Sequence, residues 1–244
     1  MTKHYLQPNW PAPKNIKAYI TTRENGYSQA PFNAFNIADY VGDDLDTVNK
    51  NIKTLIGELE LPESPLWLNQ VHGTTVTRIE DCTEIPDADA AYTSLNDKVC
   101  AVRTADCLPI LLCNRDGTEV AAVHAGWKGL LAGVIDSTIS ALSSAPDDLL
   151  AWMGPALGPK HFEVNEAMRA DFINQHPDNV TAFIYRDGRW MMDFYLVATM
   201  NLQRFGITQI YGGEHCTFTE EAQFFSYRRD QGVTGRMASL IWIT

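Results

Sequence analysis

The sequence predicts one compact domain of mixed class, α/β or α+β, with strands and helices interleaved along the chain. Three observations carry this. At roughly 150 residues per domain, the 244 residues make one large domain or two small ones. A content of 45% apolar and 20% charged residues fits a globular core with a wetted surface. Apolar runs of strand length alternate with segments of helical period, and Gly and Pro are scattered as turn punctuation rather than gathered into a linker.

The first strand is expected over residues 18–22. A Gly/Pro/Asn-rich loop through 25–36 and a polar helix over 43–60 come next, with Pro62 just past the helix end. Strands follow at 66–70, 74–79, 99–103, 110–113 and 120–123. Leu130, Leu131, Val134, Ile135, Ile139 and Leu142 recur at helical spacing and predict a single core-facing helix over 128–143, framed at its start by Gly126 and Gly129. A strand at 149–153, turns at Gly154-Pro155 and Gly158-Pro159, and a helix over 164–174 come next. A strand at 181–185, a helix over 194–205 and strands at 209–211, 224–227 and 237–243 complete the order.

The formal net charge is −11 with no Lys/Arg run, which opposes a nucleic-acid backbone as partner and favours a small substrate. The longest nearly unbroken apolar run, 108–113, falls far short of the about 20 residues a bilayer requires, and MTKHYLQPNWPAPK has no signal-like apolar stretch. A soluble, cytoplasmic protein with no membrane partner is therefore expected. Five cysteines without a C-x-x-C pair fit neither a disulfide framework nor a closed four-cysteine zinc site. Six histidines are too few for a blue-copper centre with a trinuclear cluster, which needs about ten imidazoles.

His72, Cys107 and His124 stand at loops or strand ends, where sites are built. Two imidazoles and a thiolate form a three-ligand set that leaves zinc an open position. Their spacings of 35 and 17 residues match no short zinc motif. On residue types alone the blander reading leads, with Cys107 as a small core hydrophobe and each histidine as a satisfied, partly buried side chain. Asp106 or Asp89 could orient a liganding imidazole, or simply cap a turn. The stretch Gly126-Trp127-Lys128-Gly129 reads either as an anion site or as a tight strand-to-helix turn. Cys100 and Cys113 are expected in the core, and His4, His161 and His176 at the surface. His215 and Cys216, being adjacent, would point to opposite faces of a strand.

The strings NQVHGTTV, DADAAYTS, CAVRTADCLPILLCNRDGTEVAAVHAGWKGLLAGVI, MGPALGPKHFEV and FFSYRRDQGVTGRMASLIWI resemble the laccase-domain, YfiH-like family. That group also carries the names polyphenol oxidase, peptidoglycan editing factor and purine nucleoside phosphorylase. The resemblance runs from Trp10 to the C-terminus. It implies an α+β domain of mixed β-sheets flanked by helices, covering residues 1–244, with a zinc (Zn2+) site at His72, Cys107 and His124. It also implies phosphorolysis of adenosine, inosine, guanosine and methylthioadenosine, with adenosine deamination as a side activity. Cys107 and Asp106 then take catalytic roles, Asp89 being the alternative acid. Arg23 matches the family's S/T-x-R motif, and Tyr227, Arg228, Arg229 and Asp230 match its Y-R-R-D motif. Arg23, Lys128, Tyr227 and Arg229 are the expected contacts to nucleoside and phosphate. Departures at Asn25-Gly26-Tyr27-Ser28 and Asn36-Ile37-Ala38 lie on the N-terminal loop and bear on substrate preference. The alternatives are a metal-free hydrolase with Cys107 as nucleophile, editing a miscoupled cell-wall precursor, a copper polyphenol oxidase, which the histidine count opposes, and a scaffold with structural zinc.

Overall fold

In the computed structural model, which describes residues 5–244, the chain opens with β1 (Tyr5–Leu6), β2 (Ile16–Thr21), α1 (Leu45–Glu58), β3 (Val76–Arg78) and β4 (Ala90–Thr93). It continues through β5 (Cys100–Thr104), β6 (Leu108–Asn114), β7 (Val120–Ala125), α2 (Trp127–Ala132), α3 (Val134–Ala141) and β8 (Leu149–Met153). The last third holds β9 (Glu163–Val164), α4 (Glu166–Gln175), β10 (Phe183–Arg186), β11 (Arg189–Met192), α5 (Phe194–Arg204), β12 (Gln209–Gly212) and β13 (Met237–Ile243). A six-stranded mixed sheet has the order β12-β8-β6-β7-β4-β3, a four-stranded sheet β1-β2-β13-β5, and a small sheet β10-β11-β9. This is the expected α+β class.

The layers follow from the two-residue period of strands that are apolar on both faces. Ile110 and Leu112 of β6, Ala121 and Val123 of β7, and Ala151 and Met153 of β8 share one face, packed on Ile135 and Ile139 of α3 and Val197 and Leu202 of α5. Their sequence neighbours Leu111, Cys113, Val120, Ala122, Leu150 and Trp152 turn the other way, against Ile20 of β2, Val102 of β5 and Ile241 of β13. The far face of that second sheet presents Ala101, Leu240 and Trp242 to Leu55 of α1. The order is therefore helix, sheet, sheet, helix. Each large aliphatic side chain so buried contributes about 1.5–3 kcal/mol. Cys100 and Cys113 lie in the inter-sheet layer, where burial pushes both thiols up, Cys113 to about 12.

Asp44 starts α1 by accepting hydrogen bonds from Thr47 N and Oγ1 at 2.9 and 2.7 Å. The helix expected over 128–143 is two helices, because Gly133 adopts φ +97° and serves as both the end of α2 and the start of α3. Residues 224–227 form no strand: Phe224 and Phe225 are buried as a strand's would be, but Phe224 N bonds back to Glu220 O within a turn. Residues 66–70 make only isolated bridges, Leu66 with Cys100 and Asn69 with Asp87. Gln70 substitutes its side chain for a ladder, donating to Arg103 O and accepting from Arg103 N. Val164 belongs to β9 rather than to a helix, and α4 begins only after Asn165 caps Met168 N. The strand expected at 181–185 is β10, displaced to Phe183–Arg186, whereas β4 and the second hairpin strand β11 have no counterpart in the sequence reading. His4 lies outside the described residues, and His161 and His176 are half-buried rather than fully exposed.

Candidate metal centre

Three separate stretches of chain converge at the open ends of β6 and β7. His124 is the fifth residue of β7 and pairs in register with Pro109 of β6, so Cys107, just before β6, arrives beside it. His72 comes from the turn ahead of β3 with φ +59°, a left-handed conformation rarely held by a non-glycine residue and found mostly where the surroundings enforce it. Among the described residues these three form the one cluster of donors able to hold a metal ion, their ligand atoms all within 4.8 Å of one another. Tetrahedral zinc with bonds of about 2.0–2.3 Å sets donors about 3.3–3.8 Å apart, so small side-chain rotations close the set.

Asp89 organises this group. It stands one residue before β4, whose Ala90 pairs with Val123, so the antiparallel register sets Asp89 opposite His124. Its Oδ1 lies 2.7 Å from His124 Nδ1 and accepts from His72 N at 3.0 Å, while Oδ2 accepts from Gly73 N at 2.6 Å and Val71 N at 3.3 Å. One fully buried carboxylate thus orients the imidazole of one donor and the backbone of another. With Nδ1 engaged, His124 presents Nε2 toward the thiol. Burial raises the Asp89 carboxyl, but the hydrogen bonds from His124 and the Gly73 and His72 amides outweigh it and hold the group low. Burial works against a charged His124 imidazole, yet Cys107 and Asp89 overcome it and push His124 up to about 9. His72 is shifted down, first by burial and then by His124.

Gly126 makes the convergence possible. A Cβ there would stand 2.4 Å from His72 Nδ1 and 3.4 Å from Cys107 Sγ, and one at Gly129 would stand 2.8 Å from Gly73 O. The glycines in this turn therefore serve the close approach of the His72 loop. Helix α2 has only six residues, so the anion reading of this turn rests on the Lys128 charge rather than on a helix terminus.

The donors open into a cavity of about 530 Å³. Tyr40, Trp127, Phe162, Phe194 and Tyr227 give it aromatic walls, and Arg103, Lys128, Arg228 and Arg236 make it cationic within an acidic chain. Arg103 is fixed against Asp39 at 2.8 Å and stacks on Tyr40 and Trp67, and Arg236 lies over Tyr227. Lys128 Nζ sits 5.7 Å from the Trp127 ring centroid and forms no ion pair with a carboxylate among the described residues. Asp106 also lines the cavity, at φ +85°. Its carboxylate accepts from Thr217 Oγ1 at 2.5 Å and Arg228 N at 2.6 Å, so it ties loops together and leaves the imidazole to Asp89.

Of the other expected contacts, Tyr227 lines the cavity and Arg229 and Arg23 do not. Arg229 grips Asp230 through two bonds, at 2.8 and 3.0 Å, and donates to Thr217 O and Phe224 O. Arg23 donates to Asn33 O and Glu221 O and faces a separate shallow groove. Arg103, Arg228 and Arg236, which the sequence reading did not select, supply the cavity's guanidinium groups. Only Arg228 had a signal, its place in the Y-R-R-D string.

A family model described as multi-copper polyphenol oxidoreductase laccase matches residues 17–244. The chain belongs to this family. Relatives include a purine nucleoside phosphorylase of Haemophilus influenzae, 46% identical over 240 residues with 97% of this chain and 98% of that protein covered. The purine nucleoside phosphorylase YfiH of Escherichia coli K12 is 46% identical over 239 residues, covering 98% of each. Among solved structures, Neisseria meningitidis protein NMB0706 matches with a TM-score of 0.94 at 44% identity, over 99% of both chains. YlmD from Geobacillus stearothermophilus matches with a TM-score of 0.91 at 29% identity, over 100% of this chain and 97% of that one.

Proposed function

We propose that the protein is a zinc-dependent purine nucleoside phosphorylase acting on adenosine, inosine, guanosine and methylthioadenosine, with adenosine deamination as a side activity. The observation that carries this reading is the opening of His72, Cys107 and His124 into a cavity with aromatic walls and four cationic side chains. Its volume suits a nucleoside, since small-molecule sites run about 300–1,000 Å³. The names of the relatives accord with it. Zinc rather than copper fits the donors, because one cluster of two imidazoles and a thiolate lacks the imidazoles of a multi-copper site. When bound, the metal supplies a Lewis acid and a template.

The chain's own groups do the rest. The aromatic walls hold the purine by stacking and exclude water from the glycosidic bond. Lys128, free of a carboxylate partner, holds phosphate for attack on the ribose carbon that bears the base, and Arg228 and Arg236 add charge-assisted donors. Asp89 keeps the donors oriented, and Asp106, already accepting two hydrogen bonds, fixes the Cys107 turn and is the cavity's carboxylate for proton transfer.

Purified protein incubated with adenosine, with and without phosphate, tests the reading. Ribose 1-phosphate forming only with phosphate is expected, with inosine as the minor product. Free ribose at the same rate without phosphate overturns the transferase assignment. Native mass spectrometry should find one zinc per chain, and several copper ions without zinc would overturn the metal.

A further inference from the structure

Beside the metal-centre cavity lies a second, more open groove of about 710 Å³, walled by the β10–β11 hairpin and by Phe218. Lys160, Arg186, Arg189 and Arg228 line it with His161, against the two carboxylates Glu163 and Asp187. Arg189 is paired with Glu163 at 2.8 Å and Arg186 loosely with Asp187 at 3.4 Å. Both arginines are 65% exposed, so these pairs are weak and exchangeable. Lys160 is exposed and forms no ion pair among the described residues, and the His161 ring is stacked on Phe218 with centroids 4.2 Å apart, both residues lining the groove.

The connection to the first cavity is Arg228, which lines both. Its backbone N is held by Asp106, the residue before Cys107, and its Nη1 reaches His161 O at 3.2 Å. One guanidinium therefore borders the nucleoside-sized cavity on one side and a cluster of cations on the other, in a chain of net charge −11. A local excess of cations in an acidic protein concentrates anions there and raises their encounter rate.

We propose that this groove is a phosphoryl-binding subsite, joined to the metal-centre cavity through Arg228, that takes the phosphate of a nucleoside monophosphate or diphosphate whose base and sugar occupy the first cavity. The proposal rests on the nucleoside reading only for what fills the first cavity. Inorganic pyrophosphate probes the groove by itself.

Calorimetry on the full chain compares adenosine, AMP, ADP and inorganic pyrophosphate as ligands, for the wild type, Lys160→Ala with Arg186→Ala, and Lys53→Ala, which removes a charge from the exposed face of α1. Wild type should bind ADP at least tenfold more tightly than adenosine, and the double substitution should remove about tenfold of that preference. Lys53→Ala should leave the ratio unchanged. Pyrophosphate weakened by the double substitution, with no nucleotide preference, supports a phosphoryl site filled by free anion. If neither pyrophosphate nor the ratio of ADP to adenosine responds, the subsite does not exist. Failure of adenosine alone to bind, with pyrophosphate still sensitive to Lys160 and Arg186, would instead count against the nucleoside reading and leave the groove standing.

Discussion

Asp89 Oδ1 lies 2.7 Å from His124 Nδ1 while the same carboxylate accepts the backbone N–H groups of His72 and Gly73. One side chain thus sets the tautomer of one metal donor and the position of another. Asp89→Asn keeps the shape but replaces one oxygen with an N–H donor facing groups that need an acceptor. Metal affinity should fall about 10- to 100-fold, the usual cost of losing such an orienting partner. Competition with a chromogenic chelator measures it, and an unchanged affinity would show that the donors hold their geometry without Asp89.

Gly126→Ala tests whether the close approach of the His72 loop is required. The added methyl would sit 2.4 Å from His72 Nδ1, so the imidazole must leave its place. Metal affinity should drop by at least tenfold with far-UV circular dichroism unchanged. Gly57→Ala is the control: it lies within α1 with nothing inside 4 Å, and should stabilise by about 0.5–1 kcal/mol without touching the metal. Equal metal affinity in both variants would refute the steric account.

How far the site was readable follows from what each residue's role depends on. The grouping of His72, Cys107 and His124 was legible as a set of donor types, because donor chemistry resides in the side chain itself. The choice between Asp89 and Asp106 was not, because it depends on the pairing of β4 with β7, which sets Asp89 opposite His124. Strand β4 is only four residues long, just past an acidic stretch, and the sequence reading assigned no strand there. Arg23 and Arg229 were expected at the substrate and instead bond to backbone carbonyls, while Arg228, one residue away, turns outward. That alternation depends on contacts with residues 106 and 161, far off in the chain. The core strands were legible from their apolar runs, and the division of the second long helix was hidden because the apolar period continues through Gly133.

Cys107 and Cys113 are only six positions apart and should respond to serine in different ways. Cys107→Ser removes a soft donor from the cavity wall and should lower zinc content and turnover together. Cys113→Ser places a hydroxyl in the apolar layer between the sheets and should cost about 1–3 kcal/mol of stability while zinc content holds. Thermal denaturation and metal analysis on the same samples separate the two. Alkylation adds a check: bound zinc should protect Cys107 until a chelator is added, whereas immediate reaction with full activity before labelling would favour the metal-free nucleophile.

Lys128→Ala should raise the phosphate concentration needed for half-maximal base release about ten- to hundredfold, the loss of one charge-assisted hydrogen bond of about 1.5–3 kcal/mol, and should move nucleoside saturation far less. The asymmetry follows from the cavity's construction. Tyr40, Trp127, Phe162 and Tyr227 offer rings to a purine, and Lys128 offers a charge that no carboxylate among the described residues pairs with. Arg103, by contrast, already spends its charge on Asp39. Lys128→Arg keeps the cation and should recover most of the phosphate affinity, which a merely structural role for the side chain would not predict. Initial rates over a grid of phosphate and adenosine concentrations decide it: a change confined to the adenosine axis would move phosphate away from Lys128 and toward Arg228 and Arg236 on the same cavity wall.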